Sequence, residues 1–199
     1  MDDDAERHKA KMARRKAAQD AEVAAKPIAA KGLLFVHTGK GKSTAAFGLA
    51  LRALGRGYRV GVVQFIKGTW ATGERAGFER FGDQVVWRTM GEGFTWETQD
   101  RARDVAAAAA AWATARALMA DPTIRLIVLD ELNIALRYDY LPAGEVVAAL
   151  AARRADQHVV VTGRNARPEL IEAADLVTEM TLVKHHFGAG VRAQEGIEF

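Results

Sequence analysis

Between the apolar run Leu33 to Val36 and the helix-like stretch AAFGLALRALG, residues 37 to 44 read HTGKGKST, which places Gly39, Gly41, Lys42, Ser43 and Thr44 side by side. These residue types bind anions. Glycines let backbone N–H groups turn toward a phosphate, and the helix that follows offers its positive N-terminus. In that chemistry Lys42 neutralises phosphate charge, Ser43 gives a hydroxyl to Mg²⁺, and Thr44 adds a second hydroxyl contact. The strict pattern G-x-x-x-x-G-K-[ST] is not met, because Val36 stands five positions before Gly41. A Gly-Lys turn capped by Ser43, with no ligand, is the alternative reading.

A second element bears on the choice. IRLIVLDE, residues 124 to 131, is an apolar strand that ends in two carboxylates, Asp130 and Glu131. In a nucleotide-binding sheet such a strand is expected beside the first one, with its acid in the Mg²⁺ shell at the carboxyl end where ligands collect. The alternative is a strand terminus whose acids cap the next helix. Found in this order, the two elements together point to nucleotide binding.

The elements that must hold them alternate along the chain. Strands are predicted at Leu33 to Val36, Arg59 to Lys67, Val85 to Met90, Arg125 to Asp130, Val159 to Gly163 and Leu176 to Val183. Several are continuous aliphatic runs, the signature of burial on both faces. Helices are predicted at Lys42 to Leu54, Thr98 to Ala120, Pro142 to Arg153 and Pro168 to Ala174, with both prolines in first turns. This alternation predicts an α/β fold, a mainly parallel sheet with helices on both faces. Residues 1 to 31 differ in composition, being rich in Ala, Lys, Arg and Asp. They read as an N-terminal helical arm or a partly ordered tail, ahead of one α/β domain over residues 32 to 199.

Composition removes several function classes. The chain has 199 residues, 49% hydrophobic and 27% charged, and no cysteine, so disulfides, thiolate metal sites and cysteine nucleophiles are out. The five histidines show no H-E-x-x-H spacing, so no dedicated zinc site is expected. No apolar run approaches the ~20 residues of a membrane span, and the acidic N-terminus is unlike a signal peptide, so a cytoplasmic protein with no membrane partner is expected. Net charge is only +3, with basic residues interleaved among acids, so no nucleic-acid partner is expected either. Asp156-Gln157-His158 begins like a cobalt-ligating D-x-H-x-x-G motif, but Val161 holds the glycine position, and His158 reads instead as the start of a buried strand. His185 and His186 receive no catalytic role.

Longer strings carry a resemblance. STAAFGLALRALGRGYRVGVVQFIKGTWATGE, GFTWET, LIVLDELN with YDYLP behind it, VVVTGR and VKHHFGAGVRAQEGIEF resemble the P-loop family of ATP:cob(I)alamin adenosyltransferases, and the arm RHKAKMARRKAAQDAEVAA is similar to N-terminal arms of that family. The resemblance implies that the Co(I) centre of a corrinoid attacks the 5′ carbon of ATP and that triphosphate leaves. It implies phosphate contacts from Thr38, Gly39, Lys40, Gly41, Lys42, Ser43 and Thr44, a further nucleotide contact from Arg52, and catalytic roles for Lys42 and Glu131. Ser43, Asp130 and Glu131 would serve Mg²⁺ or Mn²⁺. Phe94 and Trp96 match the aromatic pair that packs below the corrin; read alone, they are two aromatics anchoring a Gly-rich loop. A homodimer and a flavodoxin-like reductant are the partners implied. A protein that binds nucleotide or corrinoid without turnover, and an ATPase with Glu131 positioning water, are the alternatives.

One departure from the family stands out. Its members read like H-T-G-K-G-K-G-K-S-T, and this chain is one Gly-Lys unit shorter. Two residues fewer remove up to two N–H donors and roughly 7 Å of reach. One accommodation is for the first strand to end a residue or two early, so that Val36 and His37 join the loop; without it a weakened grip on ATP is expected.

Overall fold

A computed structural model of the chain describes residues 2–28, 30–66, 72–90 and 100–198. The chain divides into two compact units, Met1–Lys31 and Gly32–Phe199. In the first, α1 (Asp2–Ala24) is built from strong helix formers and ends three residues before Pro27. Its described side chains are exposed throughout, and a Lys26–Glu22 pair at 3.3 Å ties down its last turn.

The second unit is a six-stranded sheet, all parallel, in the order β3-β2-β4-β5-β1-β6. Its strands are β1 (Leu34–Gly39), β2 (Arg59–Gln64), β3 (Val85–Thr89), β4 (Ile124–Asp130), β5 (His158–Thr162) and β6 (Leu176–Met180). The helices are α2 (Lys42–Leu54), α3 (Gly73–Glu79), α4 (Arg101–Ala120), α5 (Leu132–Arg137), α6 (Ala143–Ala151) and α7 (Pro168–Ala173). Because alternate residues of a strand face opposite sides, the sheet feeds two cores. Leu34, Val36, Val63, Ile127, Leu129, Val159 and Val161 pack with α4, α5, α6 and α7. Val60, Val62, Leu126, Val128 and Val160 pack with α2 and Phe78 of α3. The Ala-rich α4 buries Ala108, Ala111, Ala115 and Met119, a helical stripe of small residues that lets its backbone lie close to the sheet.

Several predicted boundaries need correction. The first strand does not end early. Both its flanks are paired, with Val36 opposite Val161 and Val177 and His37 opposite Thr162 and Thr178, and the β6 ladder carries it on to Gly39 opposite Met180. Val36 is fully buried, and moving it into a loop would forfeit that packing. The carboxylate strand β4 is not beside β1, since β5 lies between them. β2 is shorter than predicted, stopping at Gln64, and β6 stops at Met180 rather than Val183. Pro142 is the N-cap of α6 rather than a first-turn residue, whereas Pro168 does occupy the first turn of α7. The helix predicted from Thr98 begins at Arg101, where Asp100 accepts a bond from Arg103 N at 3.1 Å and fixes the start. Thr98 itself lies outside the described residues.

Candidate active site

The site is assembled where β1, β4 and β5 end and α2 begins. Only Lys40 and Gly41 separate the last residue of β1 from the first of α2. Gly39 has φ +98°, and a Cβ there would stand 2.0 Å from the Met180 carbonyl oxygen, so this position requires glycine. The Lys40 N–H is already committed, donating to that same carbonyl at 3.1 Å. Gly41, at φ +90°, caps α2 without any side-chain bond, and the first N–H groups of a helix are the donors that anions use. Thr38 and Gly39 are therefore strand residues, Lys40 and Gly41 form a two-residue turn, and Lys42, Ser43 and Thr44 open the helix.

Ser43 is not the helix cap. Its Oγ donates to Asp130 Oδ1 at 2.8 Å, across the width of β5. The intervening strand takes part in the contact: Thr162 Oγ1 donates to Asp130 Oδ1 at 2.7 Å and accepts from Glu131 N at 3.0 Å. Gln64, at the end of β2, donates through Nε2 to Asp130 Oδ2 at 3.1 Å, and its own Oε1 accepts from Trp87 Nε1 and Thr89 Oγ1. Asp130 is fully buried, with donors from three elements fixing both its oxygens.

Glu131 occupies the N-cap position of α5, but its side chain does not cap the helix. It sits at φ +65° with no capping bond, a backbone conformation uncommon for a residue with a Cβ. That turn directs its carboxylate to Lys42 Nζ at 2.8 Å, with both side chains 13% exposed. A shielded pair of this kind contributes little net stability, but its charges are ready for a better partner. Lys40 Nζ stands 3.4 Å from Glu198 Oε2, which belongs to the C-terminal stretch.

Alongside α2 a cavity of about 460 Å³ is lined by Phe35, His37, Gly48, Leu49, Arg52 and Leu176. Arg52 stands ten residues beyond Lys42, about 15 Å of helix rise. His37 is 8% exposed; burial lowers its pKa, partly offset by a backbone hydrogen bond with Lys42, and the ring is neutral near pH 7. Phe94 and Trp96 lie outside the described residues; the flanking positions are Met90, at the carboxyl end of β3, and Asp100, at the start of α4.

The structure thus brings together Lys42, Ser43, Asp130 and Glu131, and sets Arg52 at a distance along α2. Sequence reasoning missed Gln64 and Thr162. Each is a polar residue closing an apolar strand at the same sheet end as Asp130, and that was the available signal.

The family description "ATP:corrinoid adenosyltransferase BtuR/CobO/CobP" matches residues 30–199, and "Cob(I)alamin adenosyltransferase N terminal" matches residues 1–23. A corrinoid adenosyltransferase of Pseudomonas aeruginosa is 58% identical over 196 residues, covering 98% of this chain and 96% of that protein. The corrinoid adenosyltransferase CobA of Salmonella typhimurium is 51% identical over 171 residues, covering 85% and 86% respectively. A corrinoid adenosyltransferase of Escherichia coli is 47% identical over 196 residues, 98% of each chain. With a lysine, a hydroxyl and two carboxylates converging at a helix N-terminus, and a family match that runs from the first strand to the last residue, the chain belongs to the ATP:corrinoid adenosyltransferase family.

Proposed function

We propose that this chain transfers the 5′-deoxyadenosyl group of ATP to the Co(I) centre of a corrinoid in cobalamin biosynthesis. An electron pair of the Co(I) centre becomes the cobalt–carbon bond, which takes the cobalt formally to Co(III), while the bond from C5′ to the phosphate oxygen breaks and triphosphate leaves with the electron pair of that broken bond. No water needs activation. The protein's task is to hold nucleophile and carbon in line and to neutralise the departing anion. The observation that carries this reading is the contact of Lys42 with Glu131 and of Ser43 with Asp130 at the N-terminus of α2.

In this reading a triphosphate oxygen takes the place of Glu131 as the partner of Lys42, and the free N–H groups of the first turn of α2 bind the same anion. Thr38, Gly39, Lys40, Gly41 and Thr44 are the surrounding contacts. The cavity at Arg52 takes the nucleoside end, a reading supported by the helix rise that separates Arg52 from Lys42. Ser43 Oγ and Asp130 Oδ1, 2.8 Å apart with Glu131 beside them, form an all-oxygen set that suits Mg²⁺ or Mn²⁺. When bound, the ion supplies charge neutralisation for the leaving triphosphate. Phe94 and Trp96 are assigned the face below the corrin. The α1 arm, a homodimer, a flavodoxin-like reductant and a cytoplasmic location complete the proposal; among the described residues no helix is long and apolar enough to cross a membrane.

An anaerobic assay with ATP, Mg²⁺ and chemically reduced cobalamin tests it, following corrinoid absorbance and identifying the phosphate product. Adenosylcobalamin with triphosphate is expected. ADP with phosphate would indicate an ATPase, and the absence of any product would leave only binding.

A further inference from the structure

Three donor side chains outside the oxygen site converge near the C-terminus. His185, His186 and Glu198 each bring one donor atom to within 4.8 Å of the other two. The two imidazole rings are 4.6 Å apart, centre to centre, and tilted by 33°. His186 Nε2 is 3.7 Å from Glu198 Oε1.

Neighbouring residues of an extended chain point to opposite sides, so two consecutive histidines do not meet unless the backbone turns between them. Here it does. His185 is extended at φ −136°, ψ 132°, and a 3₁₀ turn begins at His186 and closes at Gly190, φ +83°. Val191 N donates to His186 O at 3.1 Å and holds the turn shut. A second turn delivers the carboxylate, with Ile197 N and Glu198 N both donating to Gln194 O. Lys40 Nζ, 3.4 Å from the other oxygen of Glu198, orients that carboxylate from the β1 to α2 turn.

We propose that His185, His186 and Glu198 form a site for a divalent transition metal of the zinc class, with water completing the coordination. Two imidazole nitrogens and one carboxylate oxygen are a donor set that zinc and its first-row neighbours accept, and one that Mg²⁺ disfavours. The chain therefore has two chemically distinct cation positions, one all-oxygen at Ser43 and Asp130 and one nitrogen-rich here. His185 Nδ1 accepts a solvent-exposed bond from Phe187 N at 3.1 Å, and ligation through that nitrogen replaces it. A metal on Glu198 also offsets the negative charge facing Lys40, so the site is linked to the phosphate turn.

The test needs neither ATP nor corrinoid. Metal-free full-length protein is titrated with Zn²⁺ against a chromophoric zinc chelator in excess Mg²⁺. One tight equivalent per chain is expected. His186→Ala and Glu198→Gln should each weaken it by roughly tenfold or more, while His8→Ala in the arm leaves it unchanged. With Co²⁺ in place of Zn²⁺, visible ligand-field bands are expected for the unmodified protein and lost in His186→Ala. Equal zinc affinity in His186→Ala and the parent, loss of the site in His8→Ala, or no zinc retained against the chelator would each overturn the assignment.

Discussion

At the amino end of the sheet, Arg154 donates to the carbonyls of Met119, Asp121, Pro122 and Ile124, and Arg153 to those of Leu150, Gln157 and Gly32, while buried Gln157 adds bonds to Met119 O and Ile124 O. At the carboxyl end Lys42 meets Glu131, and Ser43, Gln64 and Thr162 all meet Asp130. Both ends are polar and largely shielded. They differ mainly in what the donors hold: the two arginines also pair with Asp175 and Asp156, but most of their bonds go to backbone carbonyls. Backbone carbonyls cannot leave, so the arginines at the amino end are permanent fastenings for strand ends that would otherwise carry unsatisfied acceptors. Side-chain carboxylates can exchange one cation for another, so under the proposed function the carboxyl end admits phosphate and metal with the fold intact. The same difference separates stability from activity along a single sheet.

The largest effect that sharpens this contrast is expected from Lys42→Ala. Transition-state charge stabilisation of this kind is worth roughly 10²–10³ in rate, about 3–4 kcal/mol, so kcat/KM for adenosyl transfer should fall by that factor in steady-state assays. Arg154→Ala is the counterpart. It should lower unfolding free energy by about 3 kcal/mol in denaturant titrations, with kcat/KM of the folded protein held within about twofold. Loss of activity in Arg154→Ala without loss of stability would break the comparison. A smaller effect is expected from inserting Gly-Lys after Lys40. One or two new charge-assisted N–H bonds should tighten ATP about tenfold in equilibrium binding, and unchanged affinity would show that the two-residue turn is sufficient as it stands.

The smallest effect concerns pH and belongs to the amino end. His158 Nδ1 accepts from Leu33 N at 3.1 Å, which requires an unprotonated nitrogen. Burial first, then the charges of Arg125 and Arg153, hold its pKa below the usual value of 6.5, against a weaker pull from Asp156. The unfolded chain then binds the proton more readily than the native one. Its contribution to stability is present above about pH 6.5 and is lost as pH falls through the range below. His37, lowered chiefly by burial, acts in the same direction at the other end. Thermal melts at about pH 7.5 and about pH 5.5 should show the native state losing stability in acid, and His158→Gln should flatten that dependence.

Much of this was legible before any coordinates. The α2 boundaries, Lys42 to Leu54, are legible in the residues themselves, because a Gly-Lys turn precedes and a glycine follows an apolar-periodic run. The pairing of a lysine and hydroxyl with two acids could be read from their places at a helix start and a strand end. What the residues did not disclose was adjacency. β5 separates β4 from β1, an order that no strand's own pattern discloses. The extension of β1 to Gly39 depends on β6, whose residues lie about 140 positions further along. The short helix α5 was missed because it follows β4 through the positive φ of Glu131, where sequence propensity gives no start signal. Gln64 and Thr162 were passed over because a polar residue closing an apolar run looks like an ordinary strand terminus.

The two-residue turn between β1 and α2 also bears on how the chain tolerates changes in length. Gly39 is fastened by its pairing with Met180, and α2 by Ala46, Phe47 and Ala50 in the core beneath it. The turn itself adds the Lys40 N–H bond to the Met180 carbonyl and the Gly41 cap of α2. Residues inserted after Lys40 keep that bond and leave the pairing of β1 with β6 in register. Insertions after Lys40 can therefore lengthen the turn with the sheet register kept, and under the proposed function such a change acts on the phosphate grip rather than on the fold.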